Sequence, residues 1–88
     1  MPFAVQFLPA AVKALQALPK DVQRRIVAKV ERLADEPHPD GSIKLQGEES
    51  LWRVRIGTYR VVYTIDGDQL VVIVVRIGHR REVYRRRG

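Results

Sequence analysis

The 88-residue sequence contains no cysteine, which excludes disulfide scaffolds and zinc sites built on thiolates. Its longest apolar run, residues 70–75, has six residues, whereas a membrane-spanning helix needs about 20. The N-terminus lacks a basic segment followed by an apolar stretch, so no signal peptide is predicted. We therefore expect a soluble, cytoplasmic protein with no membrane partner, whose core forms without covalent cross-links.

Familiar catalytic motifs are also missing. The sequence has no G-x-S-x-G, P-loop or G-x-G-x-x-G pattern. Two carboxylate pairs are candidate metal ligands, Glu48-Glu49 and Asp66/Asp68, but both lie in predicted turns, where acidic residues are common without a metal. His38 lies between two prolines in a predicted loop. We therefore expect neither a metal nor a cofactor. The length indicates one domain over residues 1–88, because domains usually have about 100–150 residues.

The net charge of +6 belongs entirely to the C-terminal part of the chain. Residues 1–50 carry seven basic and seven acidic residues, whereas residues 51–88 carry nine basic and three acidic ones. All nine of these bases are arginines, whose planar guanidinium binds phosphate in a bidentate manner and stacks on bases. This segregation indicates an anionic partner, most simply a nucleic acid. A docking surface for an acidic protein and a plain solvated face are the alternatives.

Hydrophobic periodicity predicts a strand, two helices and then further strands. A period-two pattern over residues 3–7 predicts a strand, and apolar spacings of three or four predict helices over residues 9–18 and 20–36, separated by Pro19. After a loop at residues 37–41 the period returns to two. The predicted strands are residues 43–45, 52–56, 59–65 and 70–75, with turns at 47–50, 57–58 and 66–68.

The element order β-α-α-β-β-β(-β) indicates an α+β fold. We expect an N-terminal helical hairpin packed on one face of a mainly antiparallel sheet, with no internal linker. The fully apolar run at residues 70–75 predicts a strand buried on both faces and central in the sheet.

The predicted hairpin around Gly57-Thr58 fixes where its arginines point. A two-residue turn pairs Arg55 with Arg60, and Arg53 falls on the same face as Arg55. The apolar partners on the other face would pack on the helices; they are Trp52, Val54, Ile56, Tyr59, Val61 and Tyr63. Directly opposed like charges destabilise a sheet by roughly a few tenths of a kcal/mol or more, so the stability of the fold does not explain this pair of arginines. The patch suits a nucleic-acid backbone; ordinary solvent-facing residues are the alternative.

The C-terminal segment interleaves basic and aromatic residues. They are Arg76, His79, Arg80, Arg81, Tyr84 and Arg85, followed by two more arginines in a basic tail at residues 84–88. Gly78 is predicted to break the strand, so that His79 and Arg80 emerge near the sheet face that carries Arg60. Histidine exchanges protons near neutral pH, arginine stabilises charge on phosphate, and tyrosine stacks on bases. For His79, a turn histidine with a satisfied hydrogen bond is the alternative.

Three segments resemble toxins of the RelE/ParE superfamily. They are Leu45-Gln46-Gly47, the run WRVRIGTYRVVY at residues 52–63 and the run IGHRREVY at residues 77–84. The resemblance spans nearly the whole chain, because the first strand and two helices also fit. It implies the toxin of a type II toxin-antitoxin system. For a RelE-like member it implies a ribosome-dependent, metal-independent endoribonuclease that uses the 2′-hydroxyl of RNA to cleave mRNA in the A site.

The resemblance also implies roles for particular residues. Arg60 falls where RelE-type toxins hold an arginine on the reacting phosphate, Arg80 matches a transition-state stabiliser or acid, and Tyr84 matches a tyrosine that stacks on the target base. The predicted RNA-binding set is Arg53, Arg55, Arg76, Arg81 and Arg85.

Two positions depart from the family pattern. Arg53 and Arg55 fall where the best-known RelE branch has lysines, and arginine almost never releases its proton. We therefore expect charge stabilisation from these two residues, and His79 becomes a candidate for the general base.

The implied partners are a cognate antitoxin and the ribosome with its mRNA. The antitoxin segment is expected to fold on binding and to carry acidic and apolar residues. Two alternatives remain: a ParE-like toxin that poisons DNA gyrase, which would lack the complete catalytic set, and a non-catalytic basic binding module.

Overall fold

A computed structural model describes residues 3–39, 41–45 and 51–79 of the chain. In these ranges it has the predicted order of elements. They are β1 (Ala4–Phe7), α1 (Pro9–Gln16), α2 (Lys20–Asp35), β2 (Ile43–Lys44), β3 (Trp52–Ile56), β4 (Tyr59–Asp66) and β5 (Val71–His79). The predicted turn at residues 47–50 and the basic tail at 84–88 lie outside the described residues. Neither described helix is long and apolar enough to cross a membrane.

Prolines set the bounds of both helices. Pro9 is the first residue of α1, where a missing N–H removes no helical hydrogen bond. The helix ends at Gln16, earlier than the predicted residue 18, because Pro19 disfavours helical backbone at the residue before it. Pro19 is the N-cap of α2, and the Gln23 side chain donates to the carbonyl of Leu18 at 2.8 Å, which ties the two helices together.

The five described strands form one sheet in the order β1-β5-β4-β3-β2. The pairs β2–β3, β3–β4 and β4–β5 are antiparallel, and β1 pairs in parallel with β5. The prediction of a mainly antiparallel sheet is confirmed. Strand β5 lies inside the sheet between β1 and β4, as predicted. The prediction that both of its faces are buried is wrong, because Val72 and Val74 are buried but Ile73 and Val75 are only half-buried.

The predicted hairpin has the predicted register. Arg55 pairs with Arg60, and Gly57, at the first turn position, has a φ of +61°. A glycine adopts this conformation without steric cost. The guanidinium of Arg25 lies over the turn, since a Cβ added to Gly57 would be 3.2 Å from an Arg25 terminal nitrogen.

The core lies between the helices and one face of the sheet. α2 contributes Ile26, Val30 and Leu33, all fully buried at spacings of four and three. The sheet contributes its alternate residues, namely Val54, Val61, Tyr63, Val72, Val74 and Ile77. The six apolar hairpin residues predicted to face the helices all belong to this core or pack against it.

A β-bulge in β5 changes which side chains face the helices. Val62 pairs with Arg76 but Tyr63 pairs with Val74, so Val75 is an extra residue in β5. Beyond Val75 the alternation is reversed, because one added residue moves every later side chain to the other face.

The bounds of β5 differ from the predicted strand at both ends. The strand continues through Gly78 to His79, so the prediction that Gly78 breaks it is wrong. Cross-strand pairing with Arg60 holds this glycine in the ladder. The strand begins at Val71 because Leu70 belongs to the turn, where it has a φ of +57°. The carboxylate of Asp66 accepts two backbone N–H groups in that turn at 3.0 Å each.

The loop after α2 is fixed to the sheet at two points. The Tyr63 hydroxyl donates to the Pro37 carbonyl at 2.6 Å and also has a hydrogen bond with the Ser42 side chain. Burial raises the pKa of the Tyr63 phenol, and the Ser42 contact partly offsets this. The ring of His38 contacts that of Trp52 with centroids 4.0 Å apart. His38 is thus a loop residue, as predicted, with an aromatic partner.

Candidate functional site

Four arginines occupy two adjacent rows on the sheet face that turns away from the helices. Arg53, Val62 and Arg76 form one row across β3, β4 and β5. Arg55, Arg60 and Gly78 form the next row. Neighbouring strands lie about 4.8 Å apart, so each row spans about 10 Å. We call this set of four arginines the arginine face.

The β5 bulge is what brings Arg76 to this face. With unbroken alternation from Val72 and Val74, Arg76 would point into the apolar core, where burial of its charge would be costly. The extra residue at Val75 turns Arg76 outward, next to Val62. The site therefore depends on a local irregularity, and bulges are over-represented beside functional sites.

Arg60 is the most buried of the four arginines. Only 6% of it is exposed, whereas Arg53 and Arg76 are half-buried and Arg55 is exposed. A charge removed from water interacts more strongly with a nearby anion, because the local dielectric is lower. The neighbour of Arg60 on β5 is Gly78. Arg60 is thus the deepest cation of the face.

The four charges also act on each other. Desolvation by burial and, secondly, the charge of Arg55 lower the pKa of the Arg53 guanidinium below its ordinary value. Arg55 and Arg60 are directly opposed across β3 and β4, an arrangement that destabilises a sheet. This repulsion is relieved when an anion binds between the arginines, so the face is electrostatically suited to phosphate.

His79 lies on the other face of the sheet, and its predicted position near Arg60 is wrong. It pairs with Tyr59, whose side chain packs on the core, and the two rings meet edge to face with centroids 5.7 Å apart. The physical reason is again the bulge at Val75, without which His79 would share the face of Arg60. Because of the bulge, Arg76 lies on the arginine face and His79 lies on the opposite face.

Four predicted site residues follow β5 in the sequence. Arg80, Arg81, Tyr84 and Arg85 lie outside the described residues. Among residues 3–39, 41–45 and 51–79 there is no group of three or more His, Cys, Asp or Glu side chains that could hold a metal ion.

Two features of this site depend on tertiary structure, and no local sequence pattern predicts them. They are the burial of Arg60 and the outward turn of Arg76, the second of which depends on the bulge. The only sequence signal for either is the wholly apolar run 70–75, which gives no alternation from which a face can be read.

The chain is thus a small basic α+β domain with an arginine face, and comparison with known proteins identifies its family. The family model of the ParE toxin of type II toxin-antitoxin systems matches residues 5–84. This chain belongs to that family. Toxin RelG of Mycobacterium tuberculosis is 32% identical over 87 residues, which cover 98% of this chain and all of RelG.

Solved structures support the same assignment. The RelBE2 toxin-antitoxin complex of Mycobacterium tuberculosis contains a chain that matches with a TM-score of 0.81 and 30% identity, covering 91% of this chain and all of that one. The archaeal RelE–RelB complex of Pyrococcus horikoshii gives a TM-score of 0.79 and 35% identity, covering 91% and 97%. The chain is therefore a RelE-like toxin of a type II toxin-antitoxin system.

Proposed function

We propose that this toxin is a ribosome-dependent endoribonuclease that cleaves mRNA in the A site and thereby inhibits translation in the cytoplasm. The observation that carries the proposal is the arginine face, with Arg60 buried at its centre. Three further arginines surround it on adjacent strands, and the direct opposition of Arg55 and Arg60 disfavours the sheet.

The chemistry assigned to this face is phosphate binding and charge stabilisation. The 2′-hydroxyl of RNA loses its proton and attacks the adjacent phosphorus, and the bond from phosphorus to the 5′ oxygen breaks. The leaving 5′ oxygen takes up a proton, so that a 2′,3′-cyclic phosphate remains on the upstream fragment, a free 5′-hydroxyl on the downstream one, and no net proton is consumed. Arg60 would hold the phosphoryl oxygens, on which negative charge increases in the transition state. Arg53 and Arg55 would add positive charge beside it, and Arg76 would bind the neighbouring phosphate.

Proton transfer needs a different group from His79. That side chain lies on the other face of the sheet, where its ring contacts the ring of Tyr59, so it is not placed to deprotonate a 2′-hydroxyl held on the arginine face. The pKa of Arg53 is lowered, yet an arginine is so strong a base that the guanidinium stays cationic at neutral pH. In our proposal Arg80 stabilises the transition state or acts as the acid, and Tyr84 stacks on the target base. Arg81 and Arg85 add phosphate contacts.

The proposed partners are the ribosome with its mRNA and an antitoxin. The solved relatives from Mycobacterium tuberculosis and Pyrococcus horikoshii are toxin-antitoxin complexes, which supports an antitoxin for this chain. An acidic segment that folds on the toxin would neutralise the arginine face. A toxin that kept its full activity when saturated with its antitoxin would contradict this part.

The test is cleavage mapping on ribosome-bound mRNA in a purified translation reaction. We expect wild-type toxin to cut within the A-site codon and Arg60→Gln to lose at least about 100-fold in rate, as for the loss of a transition-state contact. Arg24→Gln on the exposed surface of α2 is the matched control and should cleave normally. A thermal melt of each variant separates loss of fold from loss of activity. Equal cleavage by wild type and Arg60→Gln would overturn the assignment of Arg60.

Inhibition of DNA gyrase is the second candidate, because the matching family model is described as a ParE toxin. A supercoiling assay with purified gyrase distinguishes the two. Gyrase inhibition together with intact mRNA would favour the ParE-like function. A toxin that did neither, yet bound its antitoxin tightly, would be a non-catalytic binding module.

A further inference from the structure

A second basic site lies on the helical side of the molecule, in a groove of about 340 Å³ between α2 and β3. Its described lining residues are Arg25, Ala28, Lys29, Arg32, Arg55 and Ile56. Four of them are cationic, and Ala28 and Ile56 are apolar. We call this site the α2–β3 groove.

The helical repeat places the α2 cations along one side of the helix. Arg25, Lys29 and Arg32 follow each other at spacings of four and three residues, so they form a row about 10 Å long. The row lies beside the buried stripe of Ile26 and Val30 and not opposite it, which is why it faces β3. Lys29 is half-buried and lines the groove, as is typical of a lysine whose stem packs on apolar surface.

The groove concentrates positive charge, because four cationic side chains line one concave surface. Among the described residues, no carboxylate lies within ion-pair distance of its four cations. Four like charges around one concave surface raise the local potential and cost folding free energy. A bound polyanion would remove that cost.

The groove is continuous with the arginine face through one side chain. Arg55 stands opposite Arg60 in the hairpin and also lines the groove. β2 pairs with β3 only at Trp52 and Arg53, so the edge of β3 at Arg55 has no strand beside it in the described chain. A strand of nucleic acid held on the arginine face can therefore pass this edge and reach α2.

We propose that the α2–β3 groove binds the phosphodiester backbone of an RNA strand that continues from the arginine face. The RNA identity of the anion rests on the proposed ribonuclease function. Backbone rather than base recognition follows from the described lining residues, which offer guanidinium and ammonium groups but no aromatic ring for stacking. The groove would thus add affinity without sequence preference and hold the RNA beside the cleavage site.

The continuity with the arginine face favours RNA over an acidic protein segment. The positive charge of the groove would also attract an acidic peptide, but the affinity of a peptide would not increase through the continuity of two phosphate-binding sites. A single RNA strand that occupies both sites gains from their linkage, because binding at the second becomes intramolecular.

The test compares RNA length dependence in two variants of equal charge. Arg25→Gln/Lys29→Gln/Arg32→Gln removes the α2 row, and Lys13→Gln/Lys20→Gln/Arg24→Gln removes the same charge from exposed positions outside the groove. Fluorescence anisotropy measures binding to 2′-O-methyl RNA, which its own 2′ oxygen cannot cleave, at lengths of about 6 and about 15 nucleotides. Melting curves confirm that both variants are folded.

We expect the groove variant to bind the longer RNA about 10- to 100-fold more weakly than wild type at about 0.1 M salt. The slope of log binding constant against log salt concentration should become shallower by about 2, because each of the three lost phosphate contacts on a single strand contributes about 0.7. The charge-matched control should stay within about threefold of wild type. Binding of the short RNA, which the arginine face alone can hold, should change little in either variant.

Equal losses in the two variants would overturn the proposal, because net charge alone would then explain them. A groove variant that kept RNA binding but lost binding to polyglutamate would overturn it in favour of an acidic protein segment. The outcomes are separable from the proposed function. A toxin that leaves mRNA intact during translation, yet shows the length-dependent loss, refutes the ribonuclease and keeps the groove as an RNA site.

Discussion

Replacing Gly57 with alanine tests the hairpin on which the arginine face depends. With a φ of +61° this residue has a conformation that costs an L-amino acid about 1–2 kcal/mol. An alanine Cβ would also lie 3.2 Å from the Arg25 guanidinium, but that exposed side chain can move by a few tenths of an ångström. The backbone term therefore dominates, and we expect Gly57→Ala to lower the free energy of unfolding by about 1–2 kcal/mol.

Urea unfolding and thermal melts measure this effect. For a domain of this size the loss corresponds to a Tm lower by roughly 4–16 °C. The matched control is Gly67→Ala in the next turn, because Gly67 has no positive φ and a Cβ there meets nothing within 4 Å. The control should stay within about 0.5 kcal/mol of wild type. Equal stability of the two variants would refute the reasoning, as would a Gly57→Ala loss that disappears when Arg25→Ala is added.

Three further predictions concern individual side chains. Tyr63→Phe should cost about 1–2 kcal/mol in urea unfolding, because it leaves the Pro37 carbonyl without the 2.6 Å hydrogen bond. The pKa of Tyr63 is raised in the fold, so the stability that this phenol contributes is fully present below about pH 10 and is lost as the pH rises through the folded-state pKa. In melts from about pH 8 to about pH 11, the Tm of wild type should therefore fall more steeply than that of Tyr63→Phe. Parallel curves would contradict this. Leu70→Gly should raise stability by about 1 kcal/mol, because Leu70 has a φ of +57°, and a lower Tm would show that its exposed side chain has a stabilising role. Arg55→Gln should raise stability by roughly a few tenths of a kcal/mol by removing the repulsion with Arg60 while it weakens RNA binding in anisotropy; loss of both would argue against a functional charge pair.

Local sequence signals predicted the hairpin and both helices. The turn at Gly57-Thr58 determines the register of β3 and β4 because two-residue loops allow few geometries. The helices follow from apolar spacing and from the prolines at positions 9 and 19, although α1 ends two residues early. These features depend on residues that are neighbours in the sequence, so the local sequence is enough to predict them.

The parts that sequence reasoning missed depend on contacts between distant segments. A bulge at Val75 is invisible in an unbroken apolar run, yet it decides that Arg76 and not His79 joins the arginine face. The α2–β3 groove requires the packing of α2 beside β3, and no local pattern links Arg25 or Lys29 to Arg55. The parallel pairing of β1 with β5 joins residues from opposite ends of the chain. Tertiary packing, rather than propensity, determines each of them.

The most direct measurement of the central claim is cleavage of a ribosome-bound message that carries one 2′-deoxy nucleotide at the mapped cut site. We predict that wild-type toxin cuts the all-ribose message only when ribosomes are present and leaves the 2′-deoxy message intact, because the attacking hydroxyl is missing. A second message with the 2′-deoxy nucleotide several positions away controls for altered binding and should be cut normally. Cleavage of the site-substituted message at the wild-type rate would contradict the mechanism, and absence of cleavage in every message would contradict the assignment as a ribonuclease.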